Sequence, residues 1–81
     1  MAVILVETTK EEQEQVLRVI RSIDSTKAVS VAKIAEKAGL SASRVRYAIA
    51  DLLAANRIVR IPIKAYNKSY VRYSYKELKN D

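Results

Sequence analysis

Gly39 is the only glycine in the chain, and it falls between two runs whose apolar residues recur at helical spacing. Before it, Val31, Ile34, Ala35 and Ala38 form one stripe; after it, Val45, Ala48, Ile49 and Leu52 form another. Glycine accepts left-handed backbone that other L residues resist, so a helix reaching it stops sharply. Ser30 and Ser41 stand where the N-caps of these two helices belong. Only about four residues then remain for the turn, with Leu40 plugging the core, and so short a connection makes the helices cross steeply. The expected spans are 30–38 for helix two and 41–55 for helix three.

Upstream, Ala2-Val3-Ile4-Leu5-Val6 is an apolar run of β type ended by Glu7-Thr8-Thr9, which predicts a short strand over residues 1–7. Thr8 with Glu11, or Thr9 with Glu12, fits a capping box, and the helix it opens carries Val16, Leu17, Ile20 and Ile23 on one stripe. Helix one is therefore expected over 10–24, followed by a polar break and a brief extended piece at Ala28-Val29. Downstream, Arg57 to Lys64 alternates imperfectly and Tyr70 to Tyr75 alternates well, which predicts a hairpin over 57–76 with residues 65–69 between its strands. Pro62 has no N–H to give a ladder, so it belongs on an outer edge or at a bulge. The expected fold class is α+β: three helices, then a C-terminal two-stranded β-hairpin, with a short N-terminal strand, in one domain spanning 1–81.

Charge is distributed unevenly along this pattern. Residues 1–40 carry six bases and six acids, whereas Ser41 to Lys76 carries eight bases (Arg44, Arg46, Arg57, Arg60, Lys64, Lys68, Arg72, Lys76) against Asp51 alone, a surplus of +7. The last five residues contribute −1, which gives the net charge of +6. A surplus held in one stretch fits a polyanionic partner, because each phosphate met by Lys or Arg releases counterions and adds affinity independent of sequence.

Other function classes have little to stand on. There is no His and no Cys, so nucleophilic triads, thiolate metal sites and disulfides are ruled out, and a single glycine rules out a glycine-rich phosphate loop. The scattered serines read as caps and turns, and Glu11, Glu12 and Glu14 read as acids complementing a helix dipole. No enzyme activity, metal, cofactor or small-molecule substrate is expected. The apolar run at residues 2–6 is too short for a signal-peptide core or a membrane span, so a cytoplasmic protein without membrane contact is expected. Low glycine, absent cysteine and abundant Ile and Val suit a thermophile.

The order strand, helix, helix, turn, helix, basic hairpin resembles the winged helix-turn-helix superfamily of DNA-binding proteins. The likeness is carried by Val31 through Leu53, above all Ile34-Ala35 to Gly39-Leu40-Ser41 with Val45 and Leu52 behind them, and then by Ile58-Val59-Arg60. It covers residues 10–75. The resemblance implies that helix three enters a major groove while the hairpin, the wing, touches flanking backbone or the minor groove. Asn56-Arg57 departs from the pattern, standing where these proteins often have glycine. A second resemblance, to the ribosomal small-subunit protein twenty-five family, spans Val3 to Val6, Ile34 to Leu52 and Ile58 to Tyr73, and makes RNA the alternative partner. That family typically has a long Lys-rich N-terminal extension, which this sequence does not show, so the likeness ranks second.

Candidate binding residues follow from both lines of argument. On helix three, Arg44, Arg46 and Tyr47 are expected to meet base edges, since an Arg can fork onto guanine O6 and N7. Ser41 and Ser43 cap the same helix and stand near phosphate, and Lys33 and Lys37 of helix two are placed to clamp the backbone. The hairpin offers Lys64, Tyr66, Asn67, Lys68 and Arg72. Of the hairpin tyrosines, Tyr73 and Tyr75 share a face with Val71 and are expected to pack inward, while Tyr66 is better placed to stack on a base. Double-stranded DNA is the expected partner, in the hands of a small transcriptional regulator; a non-specific chromatin-type binder is the other DNA-binding alternative. The run at residues 2–6, an apolar edge, or helix one is expected to join two copies into a homodimer.

Overall fold

The computed structural model describes residues 7–67 and 70–79, apart from the side chains of Ala65, Tyr66 and Tyr70. Three helices, α1 (Lys10–Ser22), α2 (Val31–Ala38) and α3 (Ala42–Ala54), precede two antiparallel strands, β1 (Ile58–Asn67) and β2 (Tyr70–Glu77). This is the α+β order read from the sequence, three helices followed by a hairpin wing. The strand expected over residues 2–6, and with it the proposed dimer edge, lies outside the described residues.

Local chemistry fixes each helix end. Of the two capping boxes the sequence allows, Thr9 and Glu12 form the one used: Thr9 Oγ1 accepts from the Glu12 amide at 3.1 Å, and the Thr9 amide donates to Glu12 Oε1 at 3.0 Å. The helix stops at Ser22 rather than Asp24, because Ile23 is already extended and Asp24 Oδ1 turns to accept from the amide and hydroxyl of Thr26 at 2.9 and 2.6 Å. Ser30 Oγ accepts from the Lys33 amide at 3.1 Å and Ser41 Oγ from the Arg44 amide at 3.2 Å, capping α2 and α3 as expected. Between those helices Gly39 sits at φ 70°, and the Leu40 amide folds back to the Ala35 carbonyl at 3.1 Å.

The amphipathic stripes converge. Val16, Leu17, Val19 and Ile20 of α1, Ile34 and Ala35 of α2, and Val45, Ala48, Ile49 and Leu52 of α3 form one buried cluster with Ile58 and Tyr75 of the hairpin. Each fully buried aliphatic side chain stabilises the fold by about 1.5–3 kcal/mol through area removed from water. Val19 joins this core although the sequence stripe passed over it.

The strands of the hairpin are longer than expected: β1 continues to Asn67 and β2 begins at Tyr70. Pro62 pairs with Tyr73, but the next partners are Lys64 and Arg72, so Ile63 is the extra residue of a shift in register. A bulge beside a residue without an N–H fits the position foreseen for Pro62. On its other edge β2 gains a second neighbour, since the Val29 amide donates to the Tyr73 carbonyl at 2.9 Å. Consecutive residues Ser74 and Tyr75 are both buried, so this middle strand is covered on both faces. Tyr75 packs inward as predicted, with burial raising its phenol pKa; Tyr73 remains half-buried.

Candidate nucleic-acid interface

Helix α3 carries two different polar faces. Ser43, Arg46, Tyr47 and Ala50 are exposed and recur at three- and four-residue intervals, so they form a single outward stripe. Arg44 is not part of it. Its Nε and Nη2 donate to Glu12 Oε2 and Oε1 at 2.7 and 2.6 Å, a two-pronged pair between α3 and the first turn of α1. Asp51, two turns further on, shares that inner face and accepts from the amide and the hydroxyl of Thr8 at 2.9 and 2.7 Å. The side chain of Gln13 closes the cluster by donating to the Thr8 hydroxyl at 3.0 Å.

These contacts set the local titration. Hydrogen bonding from Arg44, joined by the Thr9 amide, holds the Glu12 carboxyl down at about 2, and the same pairing raises the Arg44 guanidinium above its ordinary value. Thr8 lowers Asp51 by hydrogen bonding through its hydroxyl and amide. Arg44, expected to meet base edges, and Asp51 therefore tie α3 to α1 and to the residue before its cap.

The outward stripe meets the hairpin across a groove. Arg46, Ile49, Ala50 and Leu53 of α3 line it on one side, Arg60 and Tyr75 of the strands on the other, with Val31 at its end. An adjoining depression shares Val31 and Tyr75 and extends past Ser30 and Tyr73 to the exposed Arg72. Arg60 lies with its guanidinium carbon 4.4 Å from the centre of the Tyr73 ring, a cation–π contact that fixes the charge at the groove's edge. None of the residues lining either depression is acidic.

Carboxylates engage cations outside the groove. Arg21 forks onto Glu77 at 2.8 and 2.7 Å, and Arg57 lies 3.5 Å from Glu14. Among the described residues no carboxylate lies within ion-pair reach of Arg46, Arg60, Arg72 or Lys76. The surplus of positive charge noted in the sequence is thus concentrated on α3 and the hairpin, after pairing has removed Arg44 and Arg57 from it.

The other expected binding residues are placed as follows. Ser41 and Ser43 are exposed at the start of α3, with Ser41 already occupied as the cap. Lys33 and Lys37 are exposed on α2 but do not line the groove, and Lys33 stands 3.9 Å from Glu36. Lys64 and Asn67 are exposed within β1 rather than in a loop; Lys68 and the Tyr66 side chain lie outside what is described. Arg60 is the residue that sequence reasoning left out of the candidate site. Arg60 pairs with Tyr75 across the hairpin and so stands diagonal to Tyr73, within reach of a long side chain, a register that the broken alternation of this run does not reveal.

Among the described residues no group of three or more acidic, His or Cys side chains is arranged to hold a metal, and no helix is long and apolar enough to cross a membrane. Comparison with protein-family models, curated proteins and solved structures found no match to the chain.

Proposed function

We propose that the protein binds double-stranded DNA, laying the outward stripe of α3 in a major groove and the hairpin along the neighbouring backbone. The observation that carries this reading is that Arg46 of α3 and Arg60 of β1 line one acid-free groove. Cations from two elements facing one channel suit a partner whose negative charge is spaced along a rod. Two hairpin tyrosines are engaged within the fold, Tyr75 by burial and Tyr73 by the Arg60 guanidinium over its ring, which supports a duplex over a stacked single strand at these two positions.

Magnitudes argue for two copies acting together. With Arg44 committed to Glu12, α3 offers Arg46 as its one arginine for base reading, worth about 1–3 kcal/mol of discrimination. A regulator needs specific binding about a thousandfold or more tighter than non-specific binding, which is at least about 4 kcal/mol. A two-fold dimer reading two half-sites closes that gap, so the proposal is of a dimeric transcriptional regulator.

The experiment is fluorescence anisotropy against a random duplex pool, single-stranded DNA and a structured RNA, each over a salt series. Duplex should bind best, with log K falling against log salt at a slope of roughly −5 if about six phosphates are neutralised. A flat salt dependence, or tighter binding to RNA, overturns the reading.

A further inference from the structure

We propose that Glu12 acts as a built-in competitor for phosphate, holding Arg44 away from the duplex and thereby setting how strongly α3 binds it. The inference rests on the DNA-binding reading above and deepens it. Arg44 occupies the first turn of α3, one residue beyond the exposed Ser43 and three before the exposed Tyr47, so it lies beside the outward stripe rather than deep in the fold. Its side chain keeps 35% of its surface accessible, whereas that of Glu12 keeps 17%. The exposed member of the pair is thus the cation, the group a phosphate would seek.

The geometry of the pair is that of an anion site already filled. A guanidinium presents parallel N–H groups that a carboxylate and a phosphate satisfy equally well, and here both contacts to Glu12 are made, at 2.7 and 2.6 Å. Glu12 itself is held from behind, because Oε1 also accepts from the Thr9 amide at 3.0 Å. A carboxylate fixed by its own helix cap cannot follow Arg44 outward. Engaging DNA through Arg44 therefore requires exchanging one charged acceptor for another, and the loss of the Glu12 pair offsets what the phosphate contact gains.

Removing the charge while keeping the cap isolates the effect. Gln serves at the third position of a capping box as Glu does, so Glu12→Gln retains the bond to the Thr9 amide and abolishes only the ionic hold on Arg44. Duplex binding is measured over a salt series for the wild type, Glu12→Gln, Arg44→Gln, the double variant and Arg46→Gln, with circular dichroism confirming that each is folded. Glu12→Gln should bind more tightly and steepen the salt slope by about 0.9, one additional phosphate. Arg44→Gln should match the wild type in slope, and the double variant should lose the gain. An unchanged slope in Glu12→Gln, or a loss in Arg44→Gln equal to that in Arg46→Gln, overturns the inference. If Arg46→Gln binds as well as the wild type, the DNA-binding reading itself is what has failed.

Discussion

Asn56 does at the end of α3 what Gly39 does at the end of α2. Their φ angles are 57° and 70°, both left-handed, and each is followed by an amide that folds back to a helix carbonyl: Arg57 to Leu52 at 2.9 Å, Leu40 to Ala35 at 3.1 Å. The left-handed position before the hairpin is thus filled by a non-glycine residue that tolerates this conformation well. Asn56→Ala should cost about 1 kcal/mol in urea unfolding, because Ala resists φ > 0, whereas Asn56→Gly should be neutral or slightly stabilising. Equal losses in both would show that the Asn side chain, not its backbone, holds the turn.

Acid should unfold the protein through the contacts that join α3 and the hairpin to α1. Glu12, Asp51 and Glu77 are all lowered by hydrogen bonds made in the folded state, Glu12 from 4.5 to about 2. A carboxylate with a depressed folded value binds its proton more readily when unfolded, so its contribution is present above the ordinary value and is lost as pH falls toward the folded one. For Glu12 that window runs from 4.5 down to about 2. Urea midpoints should be level above about pH 5 and fall steadily below it. Glu12→Gln and Arg44→Gln should each flatten that fall; a curve as steep as the wild type's in both would place the acid-sensitive contact elsewhere.

Neighbouring leucines separate core from groove. Leu52 is fully buried among the three helices, while Leu53 is half-buried and lines the groove shared with the hairpin. Leu52→Ala leaves a cavity that close-packed neighbours fill only in part, at a cost of about 2–5 kcal/mol, a large fraction of the stability of so small a domain. Its melting temperature should drop by more than about 10 °C, and that of Leu53→Ala by less than half as much. Calorimetry distinguishes the two, and a larger effect at Leu53 would mean that the groove wall carries more of the packing than its burial implies.

Helix α2 was the most legible in the sequence because its signals agree: stripe, Ser30 cap and Gly39 stop all mark the same boundaries, and the local choices match the final fold. The face that Arg44 occupies on α3 follows from the sequence itself. Residues two apart on a helix are rotated by about 200°, so Arg44 and Arg46 never could share a face, whereas Arg44 and Asp51, seven apart, do. What no single-sequence pattern supplies is the partner, since Glu12 and Thr8 reach α3 only through the tertiary fold. The hairpin's extent was obscured by Pro62, whose bulge breaks the alternation that reveals a strand, and Arg60 was passed over inside that broken run. Ser74 escaped notice because a serine is ordinarily exposed; here both faces of β2 are covered.

Tyr73 should matter to binding through Arg60 rather than through a base. The ring holds the guanidinium 4.4 Å from its centre, and a cation–π contact at such a half-exposed site is worth about 0.5–1 kcal/mol. The contact keeps a long side chain ordered at the groove's edge, so less rotamer freedom remains to be lost when a phosphate arrives. Arg60→Ala should therefore weaken duplex binding and make the salt slope shallower by about 0.9, one phosphate contact. Tyr73→Leu keeps the cation but loses its platform, so affinity should fall by at most about fivefold with the slope preserved. Tyr73→Phe retains the π face and should bind as the wild type does. If Tyr73→Leu changes the slope as much as Arg60→Ala, the ring is not merely a support, and the phenol hydroxyl lost with it contacts the backbone directly; Tyr73→Phe would then show the same loss.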